Sequence, residues 1–320
     1  MTDHPANPEH YSYKNPQWYR RELLDVMDAG IDVVLPVYWG NPADKVTRGP
    51  LMWSFEGLPP LVAAEKMLLA EGYKPPRIGL FYDTSTLAHN AAGRRVDLST
   101  TDGRAWFYVT IRDFFSEIPP ELWATVDGRP FIFLYAAGFA AGGTDDPSLI
   151  EYVRSRFAED FGGTTPYIVT ENSWGIRADS SYAWGSALWG LQVHGVASLG
   201  PGYDDHAVPG RHTPARGRED GAFYGRNWER LLKVDPATRP RIVVIETWNE
   251  FHEGTDIADS REYGRKYIEL TKHYAAMWKA AVRMQGSLRL GARLSTSSQG
   301  AQPIRPTTGL RPNTAVKGAS

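Results

Sequence analysis

Glu250 and Glu253 stand three residues apart in Glu246-Thr247-Trp248-Asn249-Glu250-Phe251-His252-Glu253-Gly254, directly after the apolar run Ile242-Val243-Val244-Ile245. On a continuing strand, residues three apart face opposite sides. On a turn or helical segment they are neighbours, ~5–6 Å apart between Cβ atoms. Gly254 and the polar run after it favour a turn. Two close carboxylates divide acid and base work, because repulsion and partial burial raise one pKa and leave the other low. Glycosidic-bond cleavage needs that division, and a short separation suits a retaining reaction. The plain alternative is two surface glutamates opening a loop; Trp248, Asn249 and His252 interleaved with them argue against it. A zinc-protease helix is excluded, since no His follows His252-Glu253 at the required spacing. The expectation is chemistry by Glu250 and Glu253 with no metal and no cofactor.

A second cluster is Gly200-Pro201-Gly202-Tyr203-Asp204-Asp205-His206, followed by a long polar stretch with Arg211, His212, Arg216 and Arg218. Pro-Gly and Asp-Asp also suit a plain turn, but long loops in compact domains are often functional. Other apolar runs end in polar or aromatic residues: Tyr38-Trp39, Tyr82-Asp83, Tyr135, Glu171-Asn172 and Gln192 to His194. Strand ends meet solvent in any fold, so the signal is their agreement across strands. Tyr38, Trp39, Asp83, Tyr135, Glu171, Asn172, Tyr203, Asp204, Trp248, Asn249 and His252 are the expected substrate-binding residues.

The elements that must position these residues alternate between strand-like and helix-like runs, the pattern of a parallel α/β fold. Strands are expected over 31–37, 77–82, 131–135, 167–170, 187–191, 196–199 and 241–247. Helices are expected over 16–29, 59–72, 102–117, 147–160, 221–233 and 260–283. Asn15 suits the first N-cap and Pro16 the first helical position. The expected architecture is a (β/α)8 TIM barrel, with active-site residues at the C-terminal strand ends. A barrel begins with a strand and this series begins with a helix, so strand 1 is expected to be missing; an irregular N-terminal segment filling the gap is the alternative. Residues 1–284 are read as the barrel. Residues 285–320, rich in Ser, Thr, Gly, Pro and Arg, are read as a disordered tail or truncated linker.

The 320 residues suffice for one barrel of ~250 residues. Lys and Arg number 35 against 37 Asp and Glu, a balance that gives no reason to expect nucleic acid or an anionic membrane. Without cysteine there is no disulfide, thiolate metal site or thiol nucleophile. No run approaches the ~18 apolar residues of a membrane span. The 11 Trp, 16 Tyr and 12 Phe suit a core and also a cleft for sugars, whose C–H faces pack on aromatic rings.

With these residues in view, Thr247 to Thr255 (TWNEFHEGT) resembles the WNEWHEGT motif of family-99 glycoside hydrolases, the endo-α-mannosidases and endo-α-mannanases. Pro201 to Asp205 resembles their PGFDD-like loop, and Ala29-Gly30-Ile31-Asp32-Val33 their early AGID strand. From about Tyr13 to Ala280 the chain as a whole resembles a bacterial group of family-99-like barrels. The resemblance implies a metal-independent retaining mechanism. Glu250 matches the base that acts on the sugar's own 2-hydroxyl to give a 1,2-anhydro intermediate. Glu253 matches the general acid, then base. Phe251 stands where a Trp is usual and Asp256 where a Gln is usual, which bears on mannose specificity. The expected function is cleavage of an α-linked glycan or polysaccharide by a secreted or periplasmic monomer with a carbohydrate as its only partner. A non-catalytic carbohydrate-binding barrel and an α-1,3-glucanase-like glycosidase are the alternatives.

Overall fold

A computed structural model describes residues 1–41 and 52–298, with side chains through residue 283. The chain enters through helix α1 (Pro16–Asp28), whose first turn is capped by the Asn15 side chain accepting from Gln17 N at 2.9 Å. The first strand follows in two pieces, β1 (Val33–Val34) and β2 (Val37–Tyr38), on either side of Pro36, which has no N–H for a ladder bond. Helix α2 (Trp53–Ala70) leads to β3 (Arg77–Ile78) and β4 (Leu80–Tyr82). Helix α3 (Thr101–Glu117) precedes a hairpin of β5 (Thr125–Val126) and β6 (Arg129–Leu134). Helix α4 (Ser148–Asp160), β7 (Tyr167–Glu171), β8 (Ser180–Tyr182) and the one-turn α5 (Ser186–Trp189) come next. Then follow β9 (Gln192–Val193), β10 (Ala197–Leu199), α6 (Ala222–Leu232), β11 (Val243–Ile245) and α7 (Lys266–Ser298).

The sheet is mainly parallel. β2, β4, β6, β7 and β8 lie side by side in that order. Beyond β8, Val196 N donates to Ser181 O at 2.9 Å, and β10 pairs in parallel with β11. β5 and β9 are antiparallel additions. Alternation along each strand divides the core in two. Phe81, Phe131, Phe133, Val169 and Tyr182 pack on the inner face with Val33, Val37 and Val244. Leu80, Tyr82, Ile132, Leu134 and Ile168 pack outward under the helices.

Four boundaries differ from expectation, each for a local reason. Residues 187–191 do not form a strand. Gly185 at φ +94° and Gly190 at φ +85° bracket α5 instead, and the strand at this place in the sheet is Ser180–Tyr182. Helix α2 starts before Pro59 and carries Pro59 and Pro60 inside it; burial of Leu58, Leu61, Val62 and Leu68 outweighs the backbone cost of the prolines. Residues 260–265 form a turn, closed by Gly264 N donating to Ser260 O at 2.8 Å, so α7 starts at Lys266. It runs to Ser298, so residues 285–298 are helical where a tail was expected; residues 299–320 lie outside the described part.

One core residue has a pH consequence. Glu65 of α2 is fully buried, and neither carboxylate oxygen has a hydrogen-bond partner. Burial raises its pKa from 4.5 to about 8, against a small opposing effect of Arg77. A carboxyl whose folded pKa is raised stabilises fully below the unfolded value and loses that contribution as pH rises through the folded one. Between pH 5 and 8 the parent should therefore lose on the order of 3 kcal/mol at this residue. Urea titrations across that window should show a smaller loss for Glu65→Gln. Equal slopes for both proteins would show that Glu65 does not carry the effect.

Candidate active site

The strand alternation decides which strand-end side chains enter the sheet's C-terminal mouth. Val37, Phe81, Phe133, Val169 and Val244 lie on the inner face. Trp39, Asp83, Tyr135, Glu171 and Glu246, each two residues further on, start on that same face. Tyr38 has the opposite parity. It is 1% exposed and packs edge-on against Phe114 at 5.3 Å, in the layer between sheet and helices. Expected at the site, it belongs to the core.

Tyr135 registers the crowding of carboxylates at the mouth. Its hydroxyl is pushed up to about 12, first by burial, then by Asp83, Glu253, Glu171 and Glu246. Its ring meets Trp184 at 5.4 Å and Phe81 at 5.9 Å. Asp83, itself raised by burial, accepts from Ser85 N at 3.0 Å. Trp39 Nε1 donates to Ser85 Oγ at 3.0 Å, and its ring meets Trp53 at 4.8 Å. Glu171 accepts from the backbone N (2.8 Å) and hydroxyl of Ser173. Asn172 is exposed, with Nδ2 3.0 Å from His194 Nε2.

Glu246, between the apolar strand and Thr247, has no role in the sequence-based expectation. It is 2% exposed. Oε2 accepts from Gly185 N at 2.9 Å and Ala187 N at 3.4 Å, while Oε1 has no partner. Burial raises it to about 7, against the hydrogen bonds from residues 185–187.

The motif beyond β11 is a closed loop. Thr247 N donates to Thr255 O at 2.9 Å, their hydroxyls lie 2.9 Å apart, and Glu250 N donates to Thr247 Oγ1 at 3.1 Å. Gly254, at φ +56°, makes the return; a Cβ there would lie 3.0 Å from Thr2 Cγ2. The loop is a turn, so Glu250 and Glu253 are close enough to act on each other electrostatically. The Glu250 carboxyl is raised by partial burial and then by the charge of Glu253, with His252 opposing. It accepts from His252 N at 3.1 Å, and His252 Nδ1 lies 3.3 Å away. Glu253 forms an ion pair with Arg211. Trp248 Nε1 donates to Glu22 at 2.7 Å, and burial raises Glu22 to about 7. Asn249 contributes its carbonyl, which accepts from Phe251 N at 3.1 Å. Phe251, 4% exposed, meets Tyr11 edge-on at 6.2 Å.

The two sequence clusters meet where Asp204 N donates to Glu253 O at 2.8 Å. The Asp204 carboxylate turns to His206, 3.0 Å from its N and 2.7 Å from Nδ1, and those bonds lower its pKa. Tyr203 OH donates to the fully buried Asp205 at 2.9 Å. The N-terminal segment braces both loops: Thr2 Oγ1 donates to Asp204 O at 2.7 Å, and Thr2 N and Asp3 N both donate to Phe251 O. Sequence reasoning gave no role to Glu246 or the N-terminal brace, and reached Asp205 and Arg211 only as members of the loop cluster. It also missed Trp189, which is 64% exposed on α5 because the strand expected there would have buried it. The strand spacing behind Val244 marks Glu246; nothing local marks the others. Among the described residues, no cluster of three or more His, Asp or Glu is placed to hold a metal ion, and no helix is long and apolar enough to cross a membrane.

A family model described as "Domain of unknown function (DUF5010)" matches residues 8–291. Over 82 residues the chain is 37% identical to the Danio rerio "Glycoprotein endo-alpha-1,2-mannosidase-like protein", covering 24% of this chain and 18% of that protein. Over 92 residues it is 32% identical to the Homo sapiens protein of the same name, covering 28% and 19%. The aligned part thus spans under a fifth of these relatives' length. A solved structure described as the GH99 endo-alpha-mannosidase from Bacteroides thetaiotaomicron superposes with a TM-score of 0.61 at 16% identity, over 88% of this chain and 84% of that one. The expected likeness to family-99 folds is therefore present in three dimensions, as a shared fold.

Proposed function

The chain belongs to the family described as "Domain of unknown function (DUF5010)", and from that starting point we propose that it is a glycoside hydrolase that cleaves α-linked glycans internally, in the manner of an endo-α-mannosidase. One observation carries the reading. Glu250 and Glu253 share one closed turn at the carboxylate-lined mouth of a parallel sheet, joined there to the 203–205 loop. Glu250, its proton affinity raised, serves as base. It takes the proton of the sugar 2-hydroxyl as O2 attacks C1. Glu253 protonates the leaving oxygen as the C1–O bond breaks, which yields a 1,2-anhydro sugar. Water then attacks C1 with Glu253 as base, and the Glu250 proton returns to O2, so configuration is retained. Asp83, Tyr135, Glu171, Glu246, Tyr203 and Trp248 bind the sugar or tune the pair. The same reading takes the parallel strands of the described residues, with β1–β2 and β3–β4 counted as one strand each, as seven strands of a (β/α)8 barrel. A polymeric substrate fits a secreted or periplasmic setting.

A non-catalytic carbohydrate-binding barrel is the second reading, favoured by the Arg211–Glu253 ion pair, which occupies the acid of the proposed mechanism. Reducing-end release from α-mannans, α-glucans and mixed glycans separates the two, with binding followed by calorimetry. Release by the parent is expected from α-mannan. Binding without release from any substrate would leave the binding barrel and sink the hydrolase; release from α-1,3-glucan alone would replace mannose with glucose.

Trp189 sits close to this mouth. Its neighbours Gly185 and Ala187 hydrogen-bond Glu246, and Leu188 O accepts from Arg216 Nε at 3.0 Å. An exposed indole is a platform for a sugar face. Trp189→Ala is expected to raise KM for long glycans roughly five- to tenfold and leave kcat within about twofold. Being exposed, it should change stability by no more than ~0.5 kcal/mol. Steady-state kinetics on short and long substrates measure this, and an unchanged KM would remove Trp189 from the cleft.

A further inference from the structure

Arg211 touches the acid of the proposed mechanism and has a second carboxylate within reach. Its guanidinium pairs with Glu253 Oε1, and the same Nη1 lies 3.7 Å from Asp205 Oδ2. Glu253 and Asp205 flank one cation. Asp205 is fully buried and held by Tyr203 OH at 2.9 Å and by the Thr213 hydroxyl. Glu253 is 23% exposed and Arg211 45%. A move of about 1 Å would give Arg211 hydrogen-bond contact with Asp205. Gly210, beside it at φ +81°, has open space around it. Residues 206–217 carry His206, Arg211, His212 and Arg216 and no acidic residue, so no carboxylate of its own loop draws Arg211 away.

This contact sets a problem for the mechanism. A general acid must hold a proton, and a guanidinium bonded to its oxygen stabilises the form without one. The other groups facing Glu253 are Glu250 on its own loop, Tyr203 from the preceding loop, and Tyr135 from the end of β6.

We propose that Arg211 is a two-position cation, seated on Glu253 in the free protein and on Asp205 when a glycan fills the cleft, so that Glu253 gains its proton only with substrate in place. Arg211 is then a positioning residue that acts through Glu253. The proposal rests on Glu253 being the acid of the hydrolase reading. The gain would be an acid that is silent in the empty site and competent in the occupied one.

The test follows the Glu253 carboxyl itself. Full-length protein labelled with ¹³C at the Glu carboxyl is titrated by NMR, with Glu253→Gln identifying the resonance. In Arg211→Gln the Glu253 midpoint is expected to rise by about one pH unit or more. In Asp205→Asn, which weakens the second seat, Arg211 should stay on Glu253 and the midpoint should not rise. Adding α-1,2-mannotriose as a probe should raise the parent midpoint and leave Arg211→Gln unchanged. The alkaline limb of kcat/KM against pH should move up with Arg211→Gln, and Arg211→Lys should restore part of the parent profile. A Glu253 midpoint unchanged in Arg211→Gln, with the fold intact by circular dichroism, overturns the proposal. So does a rise in Asp205→Asn equal to that in Arg211→Gln. The NMR shifts of the two variants are read without turnover, so a protein that cleaves nothing would end the hydrolase reading while these shifts still decide where Arg211 sits.

Discussion

Glu253→Gln should lower turnover of natural α-linked glycans by about 10²–10⁴-fold, the range for loss of a positioned acid or base. An aryl glycoside of the same sugar should distinguish the two glutamates. A phenolate with a low pKa leaves without protonation, so Glu253→Gln should release it in a rapid first step and then stall, because the proposed mechanism uses the same residue to activate water. A burst of phenol followed by slow turnover is the expected trace. Glu250→Gln should show no burst, since the 2-hydroxyl loses its base whatever the leaving group. KM should change little in either variant, as both side chains act mainly in the transition state. The raised Glu250 pKa adds a sign: activity should fall with decreasing pH as Glu250 takes a proton and ceases to be a base. Stopped-flow absorbance with both variants, each shown folded by circular dichroism, measures all three. A burst in Glu250→Gln and none in Glu253→Gln would reverse the roles.

The pair itself was legible because its signal is local: an apolar strand, then two carboxylates at turn spacing among aromatic and polar residues. The strand-end candidates were legible only up to parity. Tyr38 and Trp39 look alike in a list of strand-end residues, yet the inner-face series that contains Val37 and Phe81 sends Trp39 to the mouth and Tyr38 under the helices. The same series would have chosen Glu246 behind Val244. The strand Ser180–Tyr182 escaped because three residues, two of them serine, carry no hydrophobic period. The run Ala187 to Leu191 imitated a strand because Gly185 before it and Gly190 within it take positive φ, a property that the sequence shows only as Gly. Arg211 and Asp205 were legible as members of the 200–218 cluster, but the long-range contacts they and Asp3 make could not be read from spacing. Their partners lie 42, 8 and 215 residues away, and the contacts exist only after the loops have folded over the mouth.

Arg218→Met should be the most destabilising single change near the site, by about 3–5 kcal/mol at pH 8, the cost of removing one partner from a buried ionic network. Arg218 is 6% exposed. Nη2 donates to Asp3 Oδ2 at 2.7 Å and Asp256 Oδ1 at 2.9 Å, and Nη1 donates to Asp256 O at 2.8 Å. Its guanidinium also lies over the rings of Tyr263 at 4.4 Å and Tyr267 at 4.7 Å, a placement that Met would fill without replacing the charge. Two carboxylates would remain buried with no cation between them. Burial already raises Asp256 to about 7 while Arg218 pulls it down; without Arg218 it should rise further. The penalty should therefore shrink toward pH 5, where Asp256 enters the folded state protonated. Urea unfolding of parent and variant at pH 5 and pH 8 gives the difference. The mutation should also reach the chemistry. Asp3 anchors the N-terminal segment, in which the amides of Thr2 and Asp3 donate to the carbonyl of Phe251, the residue after Glu250. With the anchor gone, limited proteolysis should cut the first residues sooner and kcat should fall while KM stays near its parent value. If the variant loses stability but keeps both the protease resistance of residues 1–6 and full kcat, the N-terminal brace does not hold the catalytic turn. If it loses under about 1 kcal/mol at both pH values, the network gives specificity of fold rather than stability.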